Sequence, residues 1–275
     1  MTNTLSLPIE TQAHWEKLQN ILSEMRSAVV AFSGGVDSGL LAAAAYQVLG
    51  ERMLAVTISS AVDLPDAVEA ARRLAQQVGF AHLVIAHDDL ANPDFVANSS
   101  ERCYFCKKVR FGVIAKIAQA RGFENLLEGS NADDDTDYRP GKRAVIEMGG
   151  RSPLAEAGMT KVDIRAVARE LGLEVWDRPS APCLATRFPY GTPVTRAGLE
   201  RVAAAEMALK AMGFTQVRVR DYGSMARIEV APALIEQAAA QRAAMVVALK
   251  QVGYVYIALD MQGYRSGSLN EVLTQ

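Results

Sequence analysis

AVVAFSGGVDS, residues 28 to 38, joins a short apolar and partly β-branched run to a glycine pair, and Leu40-Leu41-Ala42-Ala43-Ala44-Ala45 behind it reads as helix. The pattern predicts a strand over 28–32, a turn at Ser33-Gly34-Gly35 and a helix after it. Backbone N–H groups at such a turn point outward, and glycines let an anion reach the main chain without a Cβ in the way. The stretch is therefore expected to hold a phosphate.

Outward from this turn the chain alternates strand and helix. Strands are expected at 53–58, 81–86 and 125–129. Helices are expected after Pro65-Asp66 up to Gly79, over about 107–121, and from Thr160, with Asp163 as capping-box acid, to near Gly172. This order implies a parallel sheet with helices on both faces. The pattern changes at the Pro/Gly hinge Phe188-Pro189-Tyr190-Gly191-Thr192-Pro193. Beyond it come a helix over about 196–212, strands QVRVRD and MARIEVA around Tyr222-Gly223-Ser224, a helix over about 232–252 and the strand YVYIALD. The expected architecture is α/β, a parallel-sheet domain over 1–187 followed by a smaller α+β domain over 188–275.

The 275 residues, 50% hydrophobic and 22% charged, suffice for one large or two modest domains. No run approaches the roughly 18 to 20 apolar residues of a membrane helix, and MTNTLSLPIETQ lacks the pattern of a secretion signal, so the expected location is cytoplasmic. A formal charge of −2 argues against general affinity for nucleic acid. The cysteine count is 3, which without a secretion signal points to metal, redox or nucleophile chemistry or to buried thiols.

The Walker spacing GxxxxGK[ST] is absent, because Gly34-Gly35 is followed by Val36-Asp37-Ser38 with no lysine in place. Ser33-Gly34-Gly35-Val36-Asp37-Ser38 instead resembles the SGGxDS loop of the PP-loop ATP pyrophosphatases. In that reading Ser33, Ser38 and the amides of Gly34 and Gly35 bind the β- and γ-phosphates of ATP, and Asp37 holds a Mg²⁺ that neutralises departing pyrophosphate. The resemblance further implies an adenine-reading loop at Thr57 and Ser59, and a second pyrophosphate and metal segment from Gly129 to Asp134.

Within that superfamily, Asp137-Tyr138-Arg139-Pro140-Gly141 and Arg187-Phe188-Pro189-Tyr190-Gly191 are similar to runs of one branch, the ATP-dependent sulfur transferases of nickel-pincer nucleotide biosynthesis. Gly213-Phe214, Val217-Arg218-Val219-Arg220, Ala226-Arg227-Ile228-Glu229 and Gly263-Tyr264-Arg265-Ser266-Gly267 carry the resemblance to the tail. It implies a substrate, pyridinium-3,5-biscarboxylic acid mononucleotide, whose carboxylate is adenylated and then thiolated. It also implies a homo-oligomer, catalytic positions Cys183, Lys107, Arg187 and Glu206, and substrate contacts at Thr186, Arg218 and Arg220. Arg218 and Arg220 are spaced to share one face of a strand, as binding of an anionic group requires. His14, His82 and His87 are given no catalytic role.

Single-cysteine members of the branch sacrifice one cysteine sulfur, whereas this chain carries Cys103 and Cys106 beside Cys183. The resemblance to three-cysteine members implies a [4Fe–4S] cluster on Cys103, Cys106 and Cys183, with an open iron presenting sulfide or persulfide sulfur. A thioredoxin-like pair or half a zinc site remain alternatives for Cys103-Tyr104-Phe105-Cys106, as do tRNA thiolation, ammonia-using ligation or a non-enzymatic nucleotide-binding module for the whole chain.

Overall fold

The computed structural model of the chain describes residues 6–136, 140–179, 182–265 and 267–273. Asp137, Tyr138 and Arg139 of the DYRPG run and Ser266 of the tail lie outside the described residues. Along the chain run α1 (Ile9–Ser23), β1 (Ala28–Ala31), α2 (Val36–Leu49), β2 (Met53–Ser59), α3 (Ala67–Val78), β3 (His82–Ala86), α4 (Pro93–Val96), α5 (Arg102–Ala120), β4 (Asn125–Leu127), α6 (Pro140–Glu147), α7 (Pro153–Ala157) and α8 (Lys161–Glu170). After them come α9 (Arg196–Ala211), β5 (Val217–Tyr222), β6 (Met225–Val230), α10 (Ile235–Ala240), α11 (Arg242–Gln251) and β7 (Tyr256–Leu259).

Two compact units result. The first comprises Met1–Ser60, Pro65–His87 and Cys103–Ala181, and the second Ala61–Leu64, Asp88–Arg102 and Pro182–Gln275. The first unit is built on a parallel sheet in the order β3-β2-β1-β4. Successive β1 side chains point to opposite faces. Ala28 and Val30 pack with Leu18, Leu22, Leu40, Leu41, Ile164 and Val167 on one side, and Val29 packs with Val56, Phe111 and Ile114 on the other. Because β2 and β4 flank β1 on opposite sides, the carboxyl ends of β1 and β4 form a topological switch point, where such sheets bind ligands. The expected capping box is present: Thr160 Oγ1 accepts from Asp163 N, and Thr160 N donates to Asp163 Oδ2.

The second unit carries the antiparallel pair β5-β6 with β7 parallel to β6, so the α/β architecture with a smaller α+β part is the observed one. Phe214, Val217, Val219, Ile228, Val230 and Leu249 fill its core. The fourth and seventh strands are shorter than expected, at Asn125–Leu127 and Tyr256–Leu259, and two helices differ from expectation. Helix α5 begins at Arg102 rather than near 107, because buried Arg102 donates to Asn98 Oδ1 and, at 3.0 Å, to Ala185 O, and so anchors the first turn. The helix expected over 232–252 is broken at Gln241, whose ψ of 10° ends α10 and opens α11. Segment 188–193 is tied down by the Asn98 amide, which donates to Pro189 O and Thr192 O, each at 2.8 Å.

Candidate active site

In the first unit, β1 delivers the chain to Ser33-Gly34-Gly35, and α2 opens from Gly35 without a side-chain cap. Gly34 requires glycine twice over: its φ is +73°, and a Cβ would stand 3.0 Å from the backbone N of Ala71. The loop is closed on itself by Ser38, whose Oγ accepts from Ser33 N at 3.2 Å and lies 3.0 Å from Ser33 Oγ. Gly129, at the end of β4, presses against the same turn, since a Cβ there would lie 2.9 Å from Ser38 N. The structure thus brings Ser33, Gly34, Gly35, Asp37, Ser38 and Gly129 together, with amides and hydroxyls clustered where two strand ends meet.

Two cations at this turn escaped the sequence reading. Lys161, the first residue of α8, donates from Nζ to both carboxylate oxygens of Asp37 at 2.6 Å, and its backbone N donates to Asp133 Oδ2 at 2.7 Å. Arg178 reaches Asp66 Oδ2 at 2.8 Å and Gly34 O at 3.4 Å. No motif marks either residue; the one available signal for Lys161 was its place beside the capping box.

The other expected residues of this unit have defined partners. Lys107 Nζ donates to Glu128 Oε2 at 2.7 Å, and Glu128 Oε1 accepts from Ser130 N and Ser152 Oγ. Burial pushes the Glu128 carboxyl up, but the Lys107 ammonium and these hydrogen bonds outweigh it and hold it below its ordinary value. Asp134 is buried and accepts from Asn131 N at 3.1 Å, which shapes the loop after β4. Thr57 is buried with its proton on Phe32 O at 2.6 Å, so it accepts from His82 Nε2. Burial first, then Arg72, lowers the pKa of His82. Cys103 is exposed and Cys106 partly so, one helical turn apart at the start of α5.

In the second unit Cys183 precedes a single turn over Leu184–Arg187. Leu184 N donates to Val62 O at 2.7 Å, and Thr186 Oγ1 to Cys183 O at 2.9 Å. Arg187 is 0% exposed. Its Nε and Nη2 fork onto Glu206 at 2.8 and 2.9 Å, while Nη1 donates to Pro182 O, Cys183 O and Thr186 Oγ1. Glu206 is fixed in turn by Val219 N at 3.1 Å. Arg220 forks onto Glu229 at 2.9 and 2.7 Å and donates to Thr186 O at 2.7 Å. Arg218 lies over the Tyr264 ring and donates to Val217 O at 2.9 Å; burial, then the Arg187 charge, lowers its pKa. The arrangement is a buried arginine-glutamate lattice under the backbone of the Cys183 turn.

Among the described residues no three His, Cys, Asp or Glu side chains gather into a group able to hold a metal ion, and no helix is long and apolar enough to cross a membrane.

A family model described as NAD synthase matches residues 12–108. An uncharacterised protein of Synechocystis sp. is 43% identical over 262 residues, 94% of this chain and 98% of that protein. An uncharacterised protein of Methanocaldococcus jannaschii is 28% identical over 253 residues, 91% of this chain and 96% of its own length. The pyridinium-3,5-bisthiocarboxylic acid mononucleotide synthase of Lactiplantibacillus plantarum is 36% identical over 255 residues, 92% of both chains. With that identity over that length, joined to an SGGVDS turn at the sheet's switch point, the chain belongs to the ATP-dependent sulfur transferase family of the PP-loop ATP pyrophosphatases.

Proposed function

We propose that the protein converts pyridinium-3,5-biscarboxylic acid mononucleotide to its thiocarboxylate form at the expense of ATP. The observation that carries this reading is the near full-length similarity to the Lactiplantibacillus synthase. A substrate carboxylate oxygen attacks the α-phosphorus, the bond from that phosphorus to the bridging oxygen breaks, and pyrophosphate leaves. Hydrosulfide then attacks the acyl carbon, and AMP leaves with the carboxylate oxygen; where a persulfide R–S–SH attacks instead, AMP leaves in the same way, and a second thiol R′–SH must reduce the acyl disulfide so formed, freeing the thiocarboxylate and leaving R–S–S–R′. Adenylation is required because a carboxylate has no leaving group of its own.

Ser33, Ser38 and the amides of Gly34 and Gly35 cradle the phosphates, with Thr57, Gly129 and Asp134 bounding the nucleotide site. Asp37 supplies hard oxygen donors beside that cradle, a fit for Mg²⁺, which when bound neutralises charge on the departing pyrophosphate. Lys107 is assigned to the adenylation site of the 1–187 domain. Arg218 and Arg220, in the 188–275 domain, and Thr186, at the end of the 1–187 domain, are assigned to anionic groups of the substrate. Arg187 and Glu206 act by positioning the Cys183 turn, in accord with their burial and their bonds. A homo-oligomer in the cytoplasm completes the reading.

The test is release of AMP and pyrophosphate that depends on the pyridinium mononucleotide. Release that requires tRNA or ammonia instead refutes it. The finer proposal of a [4Fe–4S] cluster on Cys103, Cys106 and Cys183 is tested separately, by iron and acid-labile sulfide analysis of anaerobically purified protein. Loss of sulfur from Cys183 during turnover, with Cys103→Ala and Cys106→Ala still active, refutes the cluster and favours a sacrificial cysteine.

A further inference from the structure

The geometry points to Arg178 as a positioning residue of the phosphate cradle: its guanidinium holds the Gly34 carbonyl and thereby aims the Gly35 N–H at an incoming phosphate. The inference rests on the ATP reading above and names a residue that the reading does not use.

Two glycines in succession leave the peptide between them free to take either of two orientations, because no Cβ on either side opposes a half-turn of its plane. In a planar trans peptide the C=O and the following N–H point to opposite sides, so whatever fixes Gly34 O also aims Gly35 N–H. Arg178 Nη1 donates to Gly34 O at 3.4 Å, while Nη2 donates to Asp66 Oδ2 at 2.8 Å. Among the described residues Gly35 N donates to no backbone carbonyl, so nothing in the main chain competes with a ligand for it.

The backbone that carries Arg178 is itself held. Val175 is buried in the core beside Gly39 of α2, where a Cβ would lie 3.2 Å from Val175 Cγ2. Trp176 N and Arg178 N close turns on Leu173 O and Val175 O, each at 3.1 Å, and Arg165 of α8 forks onto Trp176 O and Arg178 O, each at 2.8 Å. Asp66 sets the plane of the guanidinium, whose rigid fork sends the other amino group toward Gly34. A contact of 3.4 Å adds little to stability, and an ion pair whose Asp66 side chain is 66% exposed adds little more. Orientation is a different matter. A half-turn of the peptide would aim the Gly35 N–H at the guanidinium, setting the positive end of the peptide dipole against a cation. The charge therefore selects one orientation without being needed to hold the fold.

The experiment joins calorimetric titration of the full chain with ATP, and with AMP as control ligand, to amide NMR of protein carrying isotope-labelled glycine. Arg178→Met should weaken ATP binding about three- to tenfold, the range of one ordinary hydrogen bond, and leave AMP binding unchanged. In the ligand-free protein it should shift the Gly35 amide resonance and leave that of Gly122, at the end of α5, in place. Arg178→Lys should recover most of the affinity, because an ammonium also repels the N–H. Gly35→Ala gives the decisive comparison: once a methyl group keeps phosphate from that amide, adding Arg178→Met should cost less than about twofold more. Wild-type ATP affinity in Arg178→Met, an unmoved Gly35 resonance, or losses that multiply in the double variant overturns the inference alone; multiplied losses would mark Arg178 as a direct phosphate ligand or a support for α3. Should Arg178→Met fail to fold, Asp66→Ala carries the same comparison, since Asp66 makes no side-chain cap bond to α3 and its removal leaves the guanidinium unaimed. A wild-type protein that binds neither ATP nor AMP overturns the ATP reading, while the Gly35 resonance still reports whether Arg178 orients that peptide.

Discussion

Gly35→Ala separates what the glycine turn does for the fold from what it does for a ligand. Gly35 has φ −83° and ψ 169°, a conformation open to any residue, and a Cβ there would meet only Ser33 Oγ, at 3.6 Å. Reduced freedom of the unfolded chain favours alanine by about 0.4–1 kcal/mol, and the poorer cap that alanine makes costs a similar amount. Stability should therefore change by less than about 1 kcal/mol. The new methyl group nevertheless projects at the start of α2, where a phosphate must approach the amides. Loss of one charge-assisted hydrogen bond, about 1.5–3 kcal/mol, should weaken ATP binding about ten- to a hundredfold. Thermal melts paired with calorimetric ATP titration read both quantities on one sample. A Gly35→Ala protein that melts and binds ATP as wild type does would refute the phosphate cradle; one that fails to fold would show that the glycine serves architecture, as Gly34 and Gly129 do through their backbone contacts.

Two further outcomes follow from buried carboxylates. Glu206→Ala leaves the fully buried Arg187 guanidinium without its forked partner and should cost about 3–5 kcal/mol in urea unfolding; a cost below about 1 kcal/mol would show that Arg187 is not held by this pair. Burial alone would raise the pKa of Asp163, but the bonds from Thr11, Thr160 and His14 outweigh it and bring it from 3.8 to about 2. A lowered folded-state pKa contributes stability that is present above the unfolded value and lost as pH falls through the folded one. Asp163→Asn should therefore be less stable than wild type by about 2 kcal/mol at pH 7, with the gap closing between about pH 4 and 2; a gap independent of pH contradicts the assignment.

The turn at 28–38 was legible because each of its signals is local: a β-branched run, two glycines and an alanine-rich helix within a few residues. The capping box at Thr160 was legible for the same reason. What escaped was set by partners far along the chain. Lys161 meets Asp37 across 124 positions, and nothing in the residues around either one marks the pair. The start of α5 was misplaced because Arg-Cys-Tyr-Phe-Cys has no strong helix signal, and the anchor is Arg102 reaching Ala185, 83 residues on. Segment 188–193 reads as a hinge from its prolines and glycines, yet Asn98 holds its carbonyls from more than 90 positions away. Arg187 and Glu206 were singled out by resemblance alone; that each points at the other needed the fold.

The two arginine- and lysine-centred ion pairs differ in a way that suits different work. Lys161 and Asp37 both keep part of their surface in water, so separating them exposes charges that are already partly solvated. Arg187 and Glu206 are 0% and 3% exposed at their side chains, and parting them would strand two charges away from water. Such a pair cannot act as a switch. It can hold geometry, and Arg187 uses its remaining donor group on the carbonyls of Pro182 and Cys183 and on Thr186, while Arg220 takes Thr186 O from its own anchor on Glu229. The backbone beneath Cys183 is thereby fixed by two buried arginines. The partly solvated pair lies in the unit that carries the glycine turn, and the rigid lattice in the unit that carries Cys183.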